Sequence, residues 1–124
     1  MRAKETRADR LWTETIHKLF NGRCVICREE NEETKRKDEM HAHHLIGRRH
    51  KRARWSLLNG VLLCSEHHRA LHDGHPPTKE KLDAVLSKTL PFHKEYVEQF
   101  HQDRFKGSLS PNEFDEAIRI LKSV

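Results

Sequence analysis

Cysteines and histidines at short, repeated intervals dominate the middle of this chain. Eight of its eleven histidines fall between His41 and His75. Cys24-Val25-Ile26-Cys27 precedes most of them, and Cys64-Ser65-Glu66-His67-His68 stands within the run with His72 beyond. Thiolates and neutral imidazoles are the side chains that ligate borderline-soft divalent metals. Cys24 with Cys27, and Cys64 with His67, form two pairs, each with a two-residue gap, separated by 36 residues. Such pairs can each bite one ion, so the spacing predicts a structural zinc site with Cys24, Cys27, Cys64 and His67 as ligands. His41 stands as the alternative fourth ligand. His67 and His68 lie about 100° apart around a helix and should serve different sites.

His68 and His72 are one helical turn apart and fall on one face, where they can chelate a second ion. His43 and His44 are neighbours on an expected strand, so their rings project to opposite sides. One of them can join His68 and His72 as a ligand, leaving the other unligated with a pKa near neutrality. A free imidazole beside a metal meets the needs of phosphodiester hydrolysis. The imidazole takes a proton from water, and the metal stabilises charge on the phosphorus oxygens and the leaving oxygen.

Bulk properties explain why such a chain needs a metal. Its 124 residues are 35% hydrophobic and 35% charged, which is thin material for an unaided core. Three cysteines cannot close two disulfides, so reduced thiols in an intracellular compartment are expected. The formal net charge of +5 favours a polyanionic partner. No apolar run approaches the roughly 20 residues of a membrane span, and the charged start, Met1 to Arg10, does not read as a signal peptide. A cytoplasmic protein without membrane association is therefore expected.

The elements that must position these groups are legible in outline. Ala8, Leu11, Trp12, Ile16, Leu19 and Phe20 recur at helical spacing, predicting a helix from about Thr6 to Phe20 that stops at Asn21-Gly22. Cys24 to Cys27 should form a tight turn, and Arg28 to Glu39, without an apolar residue, an exposed loop. Met40 to Ile46 and Val61 to Leu63 read as two strands, with a turn at Asn59-Gly60. Ser65 to about Asp73 reads as a helix stopped by Gly74. Beyond Pro77, Thr78 is expected to cap one helix, Pro91 to start another, and Ser110-Pro111-Asn112-Glu113 to form a capping box. Trp12, Phe20 and Phe114 read as core, and Trp55 as an anchor beneath its loop. The expected fold class is α+β and mostly helical. An N-terminal helix (1–22) and a C-terminal helical extension (76–124) flank a strand, strand, helix core (23–75).

With these residues in place, the central segment resembles the HNH endonucleases of the ββα-metal fold, and most closely their small phage and prophage members. His43-His44, Asn59 and His68-x3-His72, among zinc-knuckle cysteines, carry the resemblance, which spans about Arg23 to Gly74. It implies that His44 is the general base, and that His43, His68 and His72 hold the catalytic metal. Asn59 would pin the loop between the strands, while Cys24, Cys27, Cys64 and His67 hold structural zinc. Many relatives carry aspartate where His43 stands, and many knuckles are four cysteines. An all-imidazole set is softer, which widens the expected catalytic ion from Mg²⁺ to Mn²⁺, Ni²⁺, Co²⁺ or Zn²⁺. The resemblance further implies DNA cleavage with little sequence preference, nicked or double-stranded according to oligomeric state. Phage packaging or recombination proteins would be partners.

Arg48, Arg49, Lys51, Arg52 and Arg54 place five positive charges in seven residues between His44 and Asn59. Such a loop is expected to contact DNA phosphates. The alternative from another class is a non-enzymatic zinc-binding DNA-binding or adaptor module. An adaptor would need Cys24, Cys27, Cys64 and one histidine, but not His43, His44, His68 and His72 as well.

Overall fold

The computed structural model describes residues 2–30, 39–100 and 106–124. The architecture is α+β and mostly helical, with one two-stranded antiparallel sheet. Helix α1 (Arg2–Leu19) begins four residues ahead of its expected start. Its Ala8, Trp12 and Ile16, each one turn from the last, are buried against the sheet. It ends where Asn21 and Gly22 take positive φ (54° and 68°), with the Gly22 amide donating back to the His17 carbonyl. Glycine adopts that conformation at little cost, and asparagine tolerates it.

The expected tight turn at Cys24 is instead the cap of a short helix, α2 (Val25–Glu29). Val25, Ile26 and Cys27 are all buried there, and tertiary burial favours helix over an exposed turn. Most of the expected acidic and basic loop, residues 31–38, lies outside the described residues. Strand β1 (Met40–His44) pairs with β2 (Gly60–Cys64) in the register Met40↔Cys64, Ala42↔Leu62, His44↔Gly60. Every residue of β2 is buried because α1, α2 and α4 all pack on it, whereas β1 stays half-open. Between the strands the basic stretch is not all loop, since α3 (Lys51–Arg54) makes one helical turn ahead of a single 3₁₀ turn at Leu57–Asn59.

Helix α4 (Ser65–His72) follows β2 directly and ends before Gly74, whose φ is +73°. Helix α5 (Pro76–Thr89) starts earlier than expected. His75, not Thr78, is its cap, with the imidazole Nδ1 accepting from the Thr78 amide at 3.3 Å. Helix α6 (Pro91–Glu98) and helix α7 (Pro111–Lys122) complete the chain. At α7 the capping box forms as expected: the Glu113 amide donates to Ser110 Oγ at 3.2 Å, and the Ser110 amide to Glu113 Oε1 at 3.0 Å. One apolar cluster runs from Ala8 of α1 through β2 to Leu86 of α5 and Leu121 of α7. Among the described residues, no helix is long and apolar enough to cross a membrane.

Candidate metal centres

Cys24 sits at the start of α2 and Cys27 one turn into it. Cys64 ends β2 and His67 lies in the first turn of α4. The fold thus brings the starts of two helices far apart in the chain together at the Cys64 end of the sheet. His67 Nδ1 lies 3.4 Å from Cys24 Sγ, 3.6 Å from Cys27 Sγ and 3.3 Å from Cys64 Sγ, and the Cys27 and Cys64 sulfurs are 3.9 Å apart. A tetrahedron built on the usual Zn–S and Zn–N bond lengths has S···S edges of about 3.8 Å and S···N edges of about 3.5 Å. The four atoms therefore already stand close to the corners of a zinc polyhedron. All three thiols are buried. Burial, reinforced by the neighbouring Cys24 thiol, pushes the Cys27 thiol well above its ordinary range, and burial also raises Cys64. Crowding of this kind is relieved when a cation takes the thiol protons' place. The buried Cys3His cluster can hold a structural metal such as zinc.

The register decides between His67 and His41. Residues directly opposite in an antiparallel pair share a face, so Met40 and Cys64 point one way while His41 and Leu63 point the other. His41 is thereby turned from the thiols. Its ring stacks on His68 with centroids 4.8 Å apart. The Ser65 hydroxyl donates to the Glu39 carbonyl at 2.8 Å and so accepts from His41 Nε2 at 3.1 Å.

His43, on the same face as His41, meets α4. His43, His68 and His72 each offer a ring nitrogen, and these atoms lie within 4.8 Å of one another. The Nε2 atoms of His68 and His72 are 3.2 Å apart, close to the roughly 3.3 Å edge of an imidazole pair on one tetrahedral ion. Burial, helped by the charges of His68, His72 and His44, lowers the His43 pKa to about 4. Burial lowers His68 as well, with His72 and His41 adding to it. Both are thus held in the neutral form that ligates metals.

His44 is on the other face of the strand, at its last residue. Among the described residues its ring contact is with Trp12 of α1, not with the three histidines of α4 and β1: the His44 and Trp12 rings stack at 3.9 Å and 10°. The His44 Nε2 atom lies 3.0 Å from the Arg54 carbonyl. A carbonyl only accepts, so the proton is on Nε2 and the Nδ1 lone pair is left as the basic atom. Burial lowers the His44 pKa, the Arg54 carbonyl opposes that, and the Arg48 charge adds to it.

Asn59 is wholly buried under this region. It accepts from the Ile46 amide at 2.6 Å, and donates to the carbonyls of Ile46 and Ala53 at 3.0 Å each. Its own carbonyl accepts from the Leu45 amide at 2.9 Å. These bonds tie both ends of the segment from Leu45 to Ala53.

Most of the basic stretch is paired with carboxylates of the chain itself. Arg48 and Arg54 both end on Asp9 of α1, Lys51 on Glu5 of α1, and Arg52 on Glu113 of α7. Asp9 also accepts from Trp55 Nε1 at 2.9 Å. Its burial favours protonation, but the bonds from Arg54 and Trp55 outweigh that and hold the carboxyl below its usual range. Arg49 instead reaches the adjacent His50 ring. Most of these charges therefore fasten α3 to its neighbours.

Trp12, Asp9 and Gly60 are the residues that spacing could not single out as site components. Trp12 reads as an ordinary core position, and Asp9 as a solvated helix charge. Comparison of the chain with protein-family models, curated proteins and solved structures finds no match.

Proposed function

We propose that the protein is a metal-dependent endonuclease of the HNH type that hydrolyses DNA phosphodiester bonds. The observation that carries the reading is the pairing of two features on one strand end. His43, His68 and His72 converge their ring nitrogens, while on the adjacent His44 the Arg54 carbonyl takes the Nε2–H, which makes Nδ1 the basic nitrogen of the neutral ring. A protein that used histidine for structure alone has no need of both.

In this reading His43, His68 and His72 would hold a divalent ion such as Mg²⁺, Mn²⁺, Ni²⁺, Co²⁺ or Zn²⁺, which would supply Lewis-acid stabilisation of the phosphoryl and leaving oxygens. His44 Nδ1 takes a proton from water, and the water oxygen forms a bond to phosphorus. The bond from phosphorus to the 3′-oxygen breaks, and that oxygen takes a proton from solvent. The products are a 5′-phosphate and a 3′-hydroxyl. Asn59 acts at one remove, holding the segment from Leu45 to Ala53 so that the Arg54 carbonyl meets His44. Cys24, Cys27, Cys64 and His67 hold zinc as a staple, joining α2 to the junction of β2 and α4.

The deciding assay is nicking of supercoiled plasmid by the purified protein with each of these ions in turn. Cleavage by wild type and its loss in His44→Ala, with zinc content unchanged, is expected. Equal behaviour of the two proteins at every ion would sink the enzyme reading and favour a zinc-binding adaptor.

A further inference from the structure

Helix α1 lies outside the segment that resembles a nuclease, yet it meets the candidate base through Trp12 and the segment that holds that base through Asp9. We infer that α1 is the positioning element for His44: Trp12 fixes the face of its ring, and Asp9 fixes the backbone segment whose carbonyl holds its Nε2–H. The inference rests on the proposed role of His44 as general base.

The ring contact is close and nearly parallel, with centroids 3.9 Å apart and planes 10° apart. Trp12 is itself immobilised. It is 2% exposed, and its Nε1 donates to the Ser56 carbonyl at 2.9 Å. The stack therefore presses His44 against a fixed plate and leaves it little freedom to turn about its side-chain bonds.

That stack depends on an absence. Gly60 stands directly opposite His44 across the sheet. A Cβ there would come within 2.6 Å of Trp12 Cζ2 and of Ile16 Cδ1. The φ of Gly60 is −133°, ordinary extended backbone, so its conformation does not demand glycine. The missing side chain opens the space into which the indole passes to reach His44.

A second link from α1 is polar and indirect. Asp9, three residues before Trp12 on the same helix, accepts from Arg54 Nε at 2.9 Å, from Arg54 Nη2 at 2.5 Å and from Trp55 Nε1 at 2.9 Å. Both side chains leave the stretch of backbone that presents the Arg54 carbonyl to His44. One face of α1 thus controls both the plane of the imidazole and the acceptor that sets its tautomer. Arg54 and Trp55 serve the base without touching substrate, and so do Trp12, Asp9 and Gly60.

The test uses the full chain, zinc-loaded, in two arms. The first reads the His44 ring directly by ¹⁵N–¹H spectroscopy. Wild type should show a slowly exchanging Nε2–H. Trp12→Leu and Gly60→Ala should lose its protection, and Trp12→Phe, which keeps an aromatic plate, should retain it. Asp9→Asn should weaken it without altering the stack. The second arm measures plasmid nicking with Mn²⁺. Trp12→Leu should lower kcat by about 10- to 100-fold at little change in KM, as expected for a misplaced catalytic group, and Trp12→Phe should restore most of it. Circular dichroism and zinc stoichiometry separate these effects from unfolding, and Asp9→Asn carries the test if Trp12→Leu does not fold. An Nε2–H as protected in every folded variant as in wild type would overturn the inference. A wild-type protein that fails to nick with every ion would sink the enzyme reading instead, while the ring spectra would still judge the role of α1.

Discussion

Asn59→Ala offers the sharpest test of how this site is held. The side chain makes three hydrogen bonds in a wholly buried setting, to the Ile46 amide, the Ile46 carbonyl and the Ala53 carbonyl. Truncation leaves one buried donor and two buried acceptors unpaired. Each orphaned group costs about 1–3 kcal/mol, and shared relaxation keeps the sum to about 4 kcal/mol. That is a large part of the roughly 5–15 kcal/mol that folded domains possess. At about 2.1 cal/mol/K per residue, a chain of this length unfolds with an entropy of about 0.26 kcal/mol/K, so the loss corresponds to a fall in Tm of about 15 °C. Asn59→Asp should be no better. It keeps the acceptor for Ile46 but sets a carboxylate against two carbonyl oxygens. The assay is urea and thermal unfolding at a fixed excess of free zinc, since metal that binds the folded state alone would otherwise shift the midpoint. A variant within about 1 kcal/mol of wild type would refute the argument, because orphaned buried groups cannot be that cheap.

Other consequences follow from the same contacts. Cys64→Ser should drop zinc stoichiometry and destabilise the fold severely, because binding free energy at such sites is about 10–16 kcal/mol and becomes folding free energy; elemental analysis with thermal unfolding reads both, and an unchanged Tm would argue against a structural ion. His72→Ala should lose a second, weaker ion while the Cys3His ion stays bound, and equal metal counts in the two proteins would remove the trio as a site. Asp9 has a depressed pKa in the fold, so its contribution is present above its unfolded value, 3.8, and is lost as pH falls through the lower folded one. Wild type should therefore lose its stability advantage over Asp9→Asn below about pH 4, and parallel stability curves for the two proteins across that range would show that the carboxylate is not held as described. Arg49→Ala should lower the slope of log K for duplex DNA against log salt by about 1, measured by fluorescence anisotropy, whereas Arg54→Gln should cost stability with little change of slope; the reverse pattern would place the phosphate contacts on α3.

Much of the candidate chemistry was legible because it is local. A two-residue gap at Cys24 and Cys27, or at Cys64 and His67, lets each pair share one ion whatever the rest of the chain does. The four-residue step from His68 to His72 commits them to one helix face, and strand alternation separates His43 from His44. Helix ends were legible where a short side chain or a glycine serves a backbone need, as at Asn21-Gly22, Gly74 and Ser110. Local rules misled where burial intervened. Cys24 to Cys27 opened a helix and not a turn, since all four of the residues that follow Arg23 pack into the core, and the His75 ring took the cap assigned to Thr78.

Spacing along the chain settled which residues can share an ion, because those constraints act over three or four residues and follow from helix and strand geometry. Only the tertiary structure chose His67 over His41, through a strand register that puts His41 on the face away from the thiols. It also turned four of five loop cations onto Asp9, Glu5 and Glu113, and set Trp12 against His44. These contacts join residues some 30 to 60 positions apart, where no local periodicity marks a partner. Which groups meet there depends on how the whole chain packs, and that packing is what gives His44 its plate, its acceptor and its tautomer.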